Sequence, residues 1–108
     1  MKLRIRVNDT EPSRRAASDT ARVALGKTIP VLERASLTLS RFTDAYRCRV
    51  LLVTHDGVRA TSEVSHLDGL EAVRRAAARA ARRVAFTSRQ GATITATTPA
   101  KEQQGEAS

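Results

Sequence analysis

Strict alternation of apolar and polar residues predicts four half-buried strands. In residues 2–7, KLRIRV, three apolar side chains fall on one face and three cations on the other. Residues 35–40, ASLTLS, and residues 46–54, YRCRVLLVT, follow the same rule. A fourth strand is expected over residues 58–64, because the HDG sequence before it is typical of a hairpin turn in which Gly adopts a positive φ.

Two other segments have helical rather than alternating periodicity. Residues 13–27 are rich in Ala and Arg, their apolar residues recur at helical spacing, and Gly26 is expected to mark the end of this helix. A second helix is predicted over about residues 67–86, with Ser65 or Asp68 as its N-cap. Both helices are expected to cover one face of the sheet.

The second helix has an apolar side and an arginine ridge. At 100° per residue its Leu, Val and several of its Ala residues gather on one side, and Arg75, Arg79 and Arg82 lie on the opposite side. Residues 69–89 contain six Arg and one Glu, a net charge of +5. This excess is too large for pairs four residues apart to neutralise.

The order of elements predicts the topology. A strand-helix-strand start favours a right-handed crossover with the first two strands parallel, and the three strands that follow the first helix can form an antiparallel meander. The sequence therefore predicts an α/β (α+β) fold of order β-α-β-β-β-α, with a four-stranded mixed sheet and two helices packed on one face. Residues 1–89 form this domain, and residues 90–108, which are small, polar and without a period, are predicted to be a disordered tail.

Charge narrows the class of partner. The 108 residues carry a formal net charge of +8, which favours a polyanion such as nucleic acid or an anionic membrane. The apolar side of the second helix is mostly Ala, too weak to enter a lipid interface, and no apolar run approaches the roughly 20 residues that span a bilayer. The single Cys excludes a disulfide within the chain, and the N-terminal residues lack the apolar core of a signal peptide. Both observations favour a cytoplasmic location.

One group of residues qualifies for consideration as a catalytic site, namely Cys48, His55, Asp56 and His66. Cys48 lies on the apolar face of its strand, where a buried side chain is expected, and a thiolate nucleophile needs a base within hydrogen-bond reach. Neither His has metal-ligand spacing with a third donor, and the chain has no glycine-rich phosphate loop. The sequence predicts a non-enzymatic protein with no cofactor, no metal and no small-molecule substrate.

The element order and four segments resemble a known family. The segments are MKLRIRVND, LERASLTLS, YRCRVLLVTHDGVRATSE and DGLEAVRRAAARAARRV. Over residues 1 to about 88 the chain resembles the short form of the ribosome hibernation-promoting factor and ribosome-associated inhibitor A family. The resemblance implies a stress-related protein, monomeric when free, that binds the small ribosomal subunit and its rRNA in the decoding region and silences idle ribosomes.

The resemblance also implies which residues contact RNA. Family members use basic residues of both helices, and by position these are Arg15, Arg22 and Lys27 on the first helix and Arg75, Arg79, Arg82 and Arg83 on the second, with Arg14 as a further candidate. Arg suits this task because its planar guanidinium forms paired bonds to phosphate and stacks on unpaired bases.

Two other functions share the charge pattern. The first is a general double-stranded RNA or DNA binder without ribosomal specificity, and the second is an interaction module whose basic face meets an acidic protein. A broad preference for any duplex would favour the first, and binding that resists nuclease would favour the second. Base stacking on the sheet is not expected, because the chain has only three aromatic residues, Phe42, Tyr46 and Phe86.

Overall fold

The computed structural model of the protein describes residues 1–8 and 13–97. Within them the predicted β-α-β-β-β-α order is confirmed. The strands and α-helices are β1 (Lys2–Val7), α1 (Arg14–Leu25), β2 (Leu32–Phe42), β3 (Ala45–Thr54), β4 (Arg59–His66) and α2 (Gly69–Thr97).

The four strands form one mixed sheet in the order β1-β2-β3-β4. β1 runs parallel to β2, and the β2–β3 and β3–β4 pairs are antiparallel, as the crossover and the meander predicted. One row across the sheet aligns Ile5, Leu37, Val50 and Ser62, all of which face the helices. The register therefore places the apolar set of every strand on the same face.

The core lies between that face and the two helices. Its largest fully buried side chains come from β2, β3 and α2, and are Leu32, Leu39, Cys48, Val50, Leu52, Val73 and Val84. The helices contribute mainly alanines to it, Ala17 and Ala21 from α1 and Ala72, Ala76, Ala77, Ala80 and Ala81 from α2. Small side chains at these positions let α2 lie close to the sheet and to α1.

One buried polar group links the sheet to α2. Ser62 Oγ, 4% exposed, donates a hydrogen bond of 2.5 Å to the carbonyl oxygen of Ala76. The hydroxyl is thereby satisfied inside the core, where an unpaired donor would cost about 1–3 kcal/mol. The contact also fixes the position of α2 along β4.

The ends of the helices follow the residues that predicted them. Ser13 accepts a hydrogen bond from the backbone N–H of Ala16 at 3.1 Å and caps α1, which ends at Gly26 with a φ of 50°. At the start of α2, Asp68 Oδ1 accepts from the Glu71 N–H at 3.0 Å, so Asp68 rather than Ser65 is the cap.

The structure differs from the sequence interpretation at two places. A 3-10 helix, Gly26–Val31, joins α1 to β2, and β2 begins directly after it, earlier than predicted. α2 continues to Thr97 instead of ending near residue 86, because helix propensity is a weak guide where β-branched residues and one Gly follow a strong helix. Residues 90–97, which were predicted to belong to the disordered tail, are therefore part of α2. Residues 98–108 lie outside the described residues, and for them the tail stays a prediction.

The close approach of α2 to the sheet predicts a high cost for a larger side chain at its buried alanines. Ala77 is fully buried. Ala77→Leu is expected to lower the free energy of unfolding by about 1–3 kcal/mol, because the added carbons displace packed neighbours. The control is Ala85→Leu on the exposed side of α2, with an expected change within about 0.5 kcal/mol. Equal midpoints for the two variants in urea unfolding would contradict this packing.

Candidate nucleic-acid interface

A basic cleft lies between α1 and the edge strand β1. α1 packs mainly against α2 and leaves space over β1, which opens into a cleft of about 920 Å³. Six cations line it, and no acidic residue does so in the described part of the chain. These cations are Lys2, Arg4, Arg14, Arg15, Arg22 and Arg34. We call this the α1 cleft.

A second basic cleft lies at the opposite edge of the sheet, between β4 and α2. It has a volume of about 750 Å³, and its cations are Arg59, Arg79, Arg82 and Arg83. Phe86, 55% exposed, lies beside them. The guanidinium of Arg83 donates a hydrogen bond to the carbonyl oxygen of Thr61 on β4. We call this the α2 cleft, and Arg83 has a structural role in it besides its charge.

The arginine ridge of α2 is partly neutralised at its N-terminal end. Arg75 Nε lies 2.7 Å from Glu71 Oε2, and Arg74 pairs with the same carboxylate. Hydrogen bonds from Arg74 and Arg75 lower the pKa of Glu71 to about 2, so the carboxylate is charged at neutral pH. Arg79 and Arg82, by contrast, form no ion pair with any residue that the structure describes.

The structure divides the predicted RNA-binding residues between the two edges of the sheet. Arg15 and Arg22 line the α1 cleft together with Arg14. Arg79, Arg82 and Arg83 line the α2 cleft. Arg75 belongs to the ion pair with Glu71, and Lys27 is exposed in the 3-10 helix, outside the lining of either cleft. The helices therefore present two separate basic clusters.

Sequence reasoning missed the cations that the strands add to these clusters. Lys2, Arg4 and Arg34 come from β1 and β2, and Arg59 comes from β4. The alternation of β1 placed Lys2 and Arg4 away from the core, which was a usable signal. The helix beside which each strand cation lies depends on the strand order and the register. The alternation of residues within one strand carries no information about either.

Three of the four residues considered for catalysis take part in the packing or hydrogen bonding of the fold, and the fourth, His55, donates its backbone N–H to the Val31 carbonyl at 3.1 Å. Cys48 is fully buried, and desolvation raises the pKa of its thiol to about 12, so it stays protonated at neutral pH. Asp56 accepts a hydrogen bond from the Thr54 hydroxyl in the hairpin turn, which lowers the pKa of its carboxyl. His66 Nδ1 accepts from the Asp68 N–H at 3.0 Å, next to the start of α2.

Two other kinds of site are absent from residues 1–8 and 13–97. These residues contain no group of three or more His, Cys, Asp or Glu side chains able to hold a metal ion. None of the helices in this part of the chain is both long and apolar enough to cross a bilayer.

Solved structures share the architecture that positions these clefts. The protein is similar to a ribosomal subunit interface protein from Coxiella burnetii, with a TM-score of 0.69 and 8% identity over 82% of this chain and 99% of that one. It is also similar to the N-terminal domain of Protein Y from Thermus thermophilus, with a TM-score of 0.63 and 17% identity over 81% of this chain and 99% of that one. The chain has the fold of these proteins. No protein-family model matches it, and no curated protein has a significantly similar sequence.

These likenesses confirm the fold that the sequence resemblance implied. Identities of 8% and 17% show a shared backbone arrangement and carry no residue roles with them. The basic clusters must therefore be judged by their own geometry and charge.

Because Glu71 pairs with two arginines, replacing this acid is predicted to raise the affinity of the protein for RNA. Glu71→Gln is expected to bind an RNA duplex more tightly than the unchanged protein, because Arg74 and Arg75 become available to phosphate. The slope of log affinity against log salt should steepen by about 0.9 for each added phosphate contact. Glu71→Asp keeps the charge and is the control. An affinity of Glu71→Gln equal to that of the control would show that this end of α2 does not meet RNA.

Proposed function

We propose that the protein is a non-enzymatic ribosome-binding inhibitor of translation that places its basic helices on the rRNA of the small subunit. The observation that carries the proposal is a pair of arginine clefts, with no acidic residue in their described lining, on the fold of a ribosomal subunit interface protein. The protein would act in the cytoplasm and be a monomer when free. It needs no cofactor for this function.

The chemistry of the clefts supports RNA as the ligand. Guanidinium groups bind phosphate through paired, charge-assisted hydrogen bonds and are weakly hydrated, so little is lost when they leave water. Contacts to phosphate fix the position of a protein without reading sequence. The protein would thus recognise the shape of folded RNA, with an affinity that falls as salt rises and counterions compete.

We place the binding site in the decoding region, where mRNA and tRNA lie during translation. The two clefts are on opposite edges of one small domain, so one molecule would contact separate RNA segments at the same time. A domain held in this way would exclude mRNA and tRNA by occupying their space. Inhibition would then be reversible and would end when a competing ligand or higher salt releases the protein.

The first test removes the charge of the α2 cleft. The double variant Arg79→Glu, Arg82→Glu is expected to lose co-sedimentation with small ribosomal subunits and to keep its helical circular dichroism, because both side chains are exposed and neither is ion-paired to a described residue. The control is Arg47→Glu, Arg49→Glu, which makes the same change of charge on the far face of the sheet. Unchanged co-sedimentation of the α2 variant would refute the proposal.

The same assay separates ribosomal specificity from general binding. The unchanged protein is sedimented with small subunits, large subunits and free duplex RNA across a salt series. Retention on small subunits near physiological salt, lost when mRNA and tRNA occupy them, is the expected result. Equal and salt-sensitive binding to all three would identify a general double-stranded nucleic-acid binder. Binding to a partner in lysate that survives nuclease would identify an acidic protein instead.

A further inference from the structure

The face of the sheet turned away from the helices has no described element over it. We call it the open face. Cations reach it from all four strands, and the acidic residues of the described strands are Glu63 and Glu33, the latter exposed next to Arg34 at the register shift of β2. The register places Lys2, Arg34 and Arg59 at one end of the face and Arg47 and Arg49 toward the other, with Arg4 and Arg6 between them along β1.

At one end of the open face the arginines are already engaged. Arg47 Nε lies 3.4 Å from Glu63 Oε2, and Arg49 lies 3.5 Å from the same oxygen. The Arg47 guanidinium also lies over the ring of Phe42, 4.3 Å from its centre. The shared carboxylate of Glu63 reduces the positive potential at this end of the face.

At the other end the cations form a row across the sheet. Lys2 is opposite Arg34, Arg34 is opposite Val53, and Val53 is opposite Arg59. With adjacent strands about 4.8 Å apart, the row spans roughly 14 Å from one edge of the sheet to the other. In the part of the chain that the structure describes, no acidic side chain pairs with Lys2, Arg34 or Arg59. We call these three residues the cationic row.

Burial of Val53 shows how the arginines of the row are arranged. Val53 is only 5% exposed although no described element covers this face. Its cross-strand neighbours on either side are Arg34 and Arg59. Arginine stems commonly lie along apolar surface with the charged head in water. Cover by the stems of Arg34 and Arg59 would account for the burial of Val53 and would leave both guanidinium groups in water, where an anion can reach them.

The cationic row joins the two clefts. Lys2 and Arg34 also line the α1 cleft, and Arg59 also lines the α2 cleft. Positive charge thus continues from α1, around the β1 edge, across the open face and around the β4 edge to α2. The two basic clusters, which are separate on the helical side, are connected through the opposite side of the sheet.

We propose that the cationic row is a further binding site for the phosphate backbone of RNA, so that RNA contacts both faces of the domain. The choice of RNA as ligand rests on the proposed function. Phosphates bound to the row would extend the contacts of the two clefts into one continuous path. Ser36 and Thr61, which lie in the next row beside Leu51, add hydroxyl donors of the kind that commonly contact phosphate.

The composition of the face favours RNA over a protein partner. The centre of a protein interface needs apolar or aromatic anchors that can be fully desolvated. Near the cationic row the apolar side chains are Leu51, which is half-buried, and Val53, which is buried. The aromatic residue of the face, Phe42, lies at the other end under Arg47. Exposed cations with no apolar anchor are suited to a polyanion, which binds by releasing counterions.

The ion pairs of Glu63 provide a matched control for the test. Arg34→Gln, Arg59→Gln removes two charges from the cationic row, and Arg47→Gln, Arg49→Gln removes two charges from the paired end of the same face. Gln keeps part of each stem over Val53. Both variants should unfold at closely similar temperatures, so that differences in affinity reflect contacts with RNA.

Affinity is measured for small ribosomal subunits and for a short oligouridine across a salt series. The row variant is expected to bind several-fold more weakly than the unchanged protein, with a salt slope lower by about 1.4 for two lost contacts to single-stranded RNA. The control should lose less than twofold. Equal losses of affinity for the two variants would show that only net charge matters. No loss of affinity for either variant would exclude the open face as a contact with RNA. Each of these results overturns the inference.

The outcome is separable from that of the proposed function. If the unchanged protein has no preference for small subunits, the proposed function fails, but the comparison of the two variants on oligouridine still tests the row. If the preference holds and the two variants bind small subunits alike, the inference alone fails.

Discussion

Close packing of two alanine-rich helices on one face of the sheet is the constraint on which the rest of the structure depends. Buried positions of α1 and α2 carry methyl groups where longer side chains would hold the helices away from the strands. The helices therefore lie near the sheet, and the arginines beside the alanines are brought to its two edges. Arg83 on α2 reaches the Thr61 carbonyl at the β4 edge with its guanidinium.

The second determinant is the placement of a few acidic side chains. Glu71 engages Arg74 and Arg75, and Glu63 engages Arg47 and Arg49. Exposed ion pairs of this kind add little to stability, because water and salt screen them. Their larger effect is on the electrostatic surface, because they neutralise two patches and leave the positive potential concentrated in the clefts and the row between them.

Local signals made much of the fold predictable, and long-range geometry limited the rest. β1 was predicted because its alternation is strict, and the β3–β4 hairpin because Asp56-Gly57 specifies the turn between two strand-like segments. The 3-10 helix around Pro30 has too few residues to show a period. For the candidate site, the arginine ridge of α2 was visible in a helical wheel. The contributions of Arg34 and Arg59 were not, because they follow from strand order and register.

The same cations have a consequence for the unpaired edges of the sheet. β1 and β4 are edge strands, whose free backbone groups are a template for pairing with another chain. β1 carries Lys2, Arg4 and Arg6 along its length, and Arg83 occupies a carbonyl of β4. Two copies of the domain approaching edge to edge would bring like charges together. The arginine-rich surface therefore also protects a small domain with a thin core from extending its sheet into aggregates.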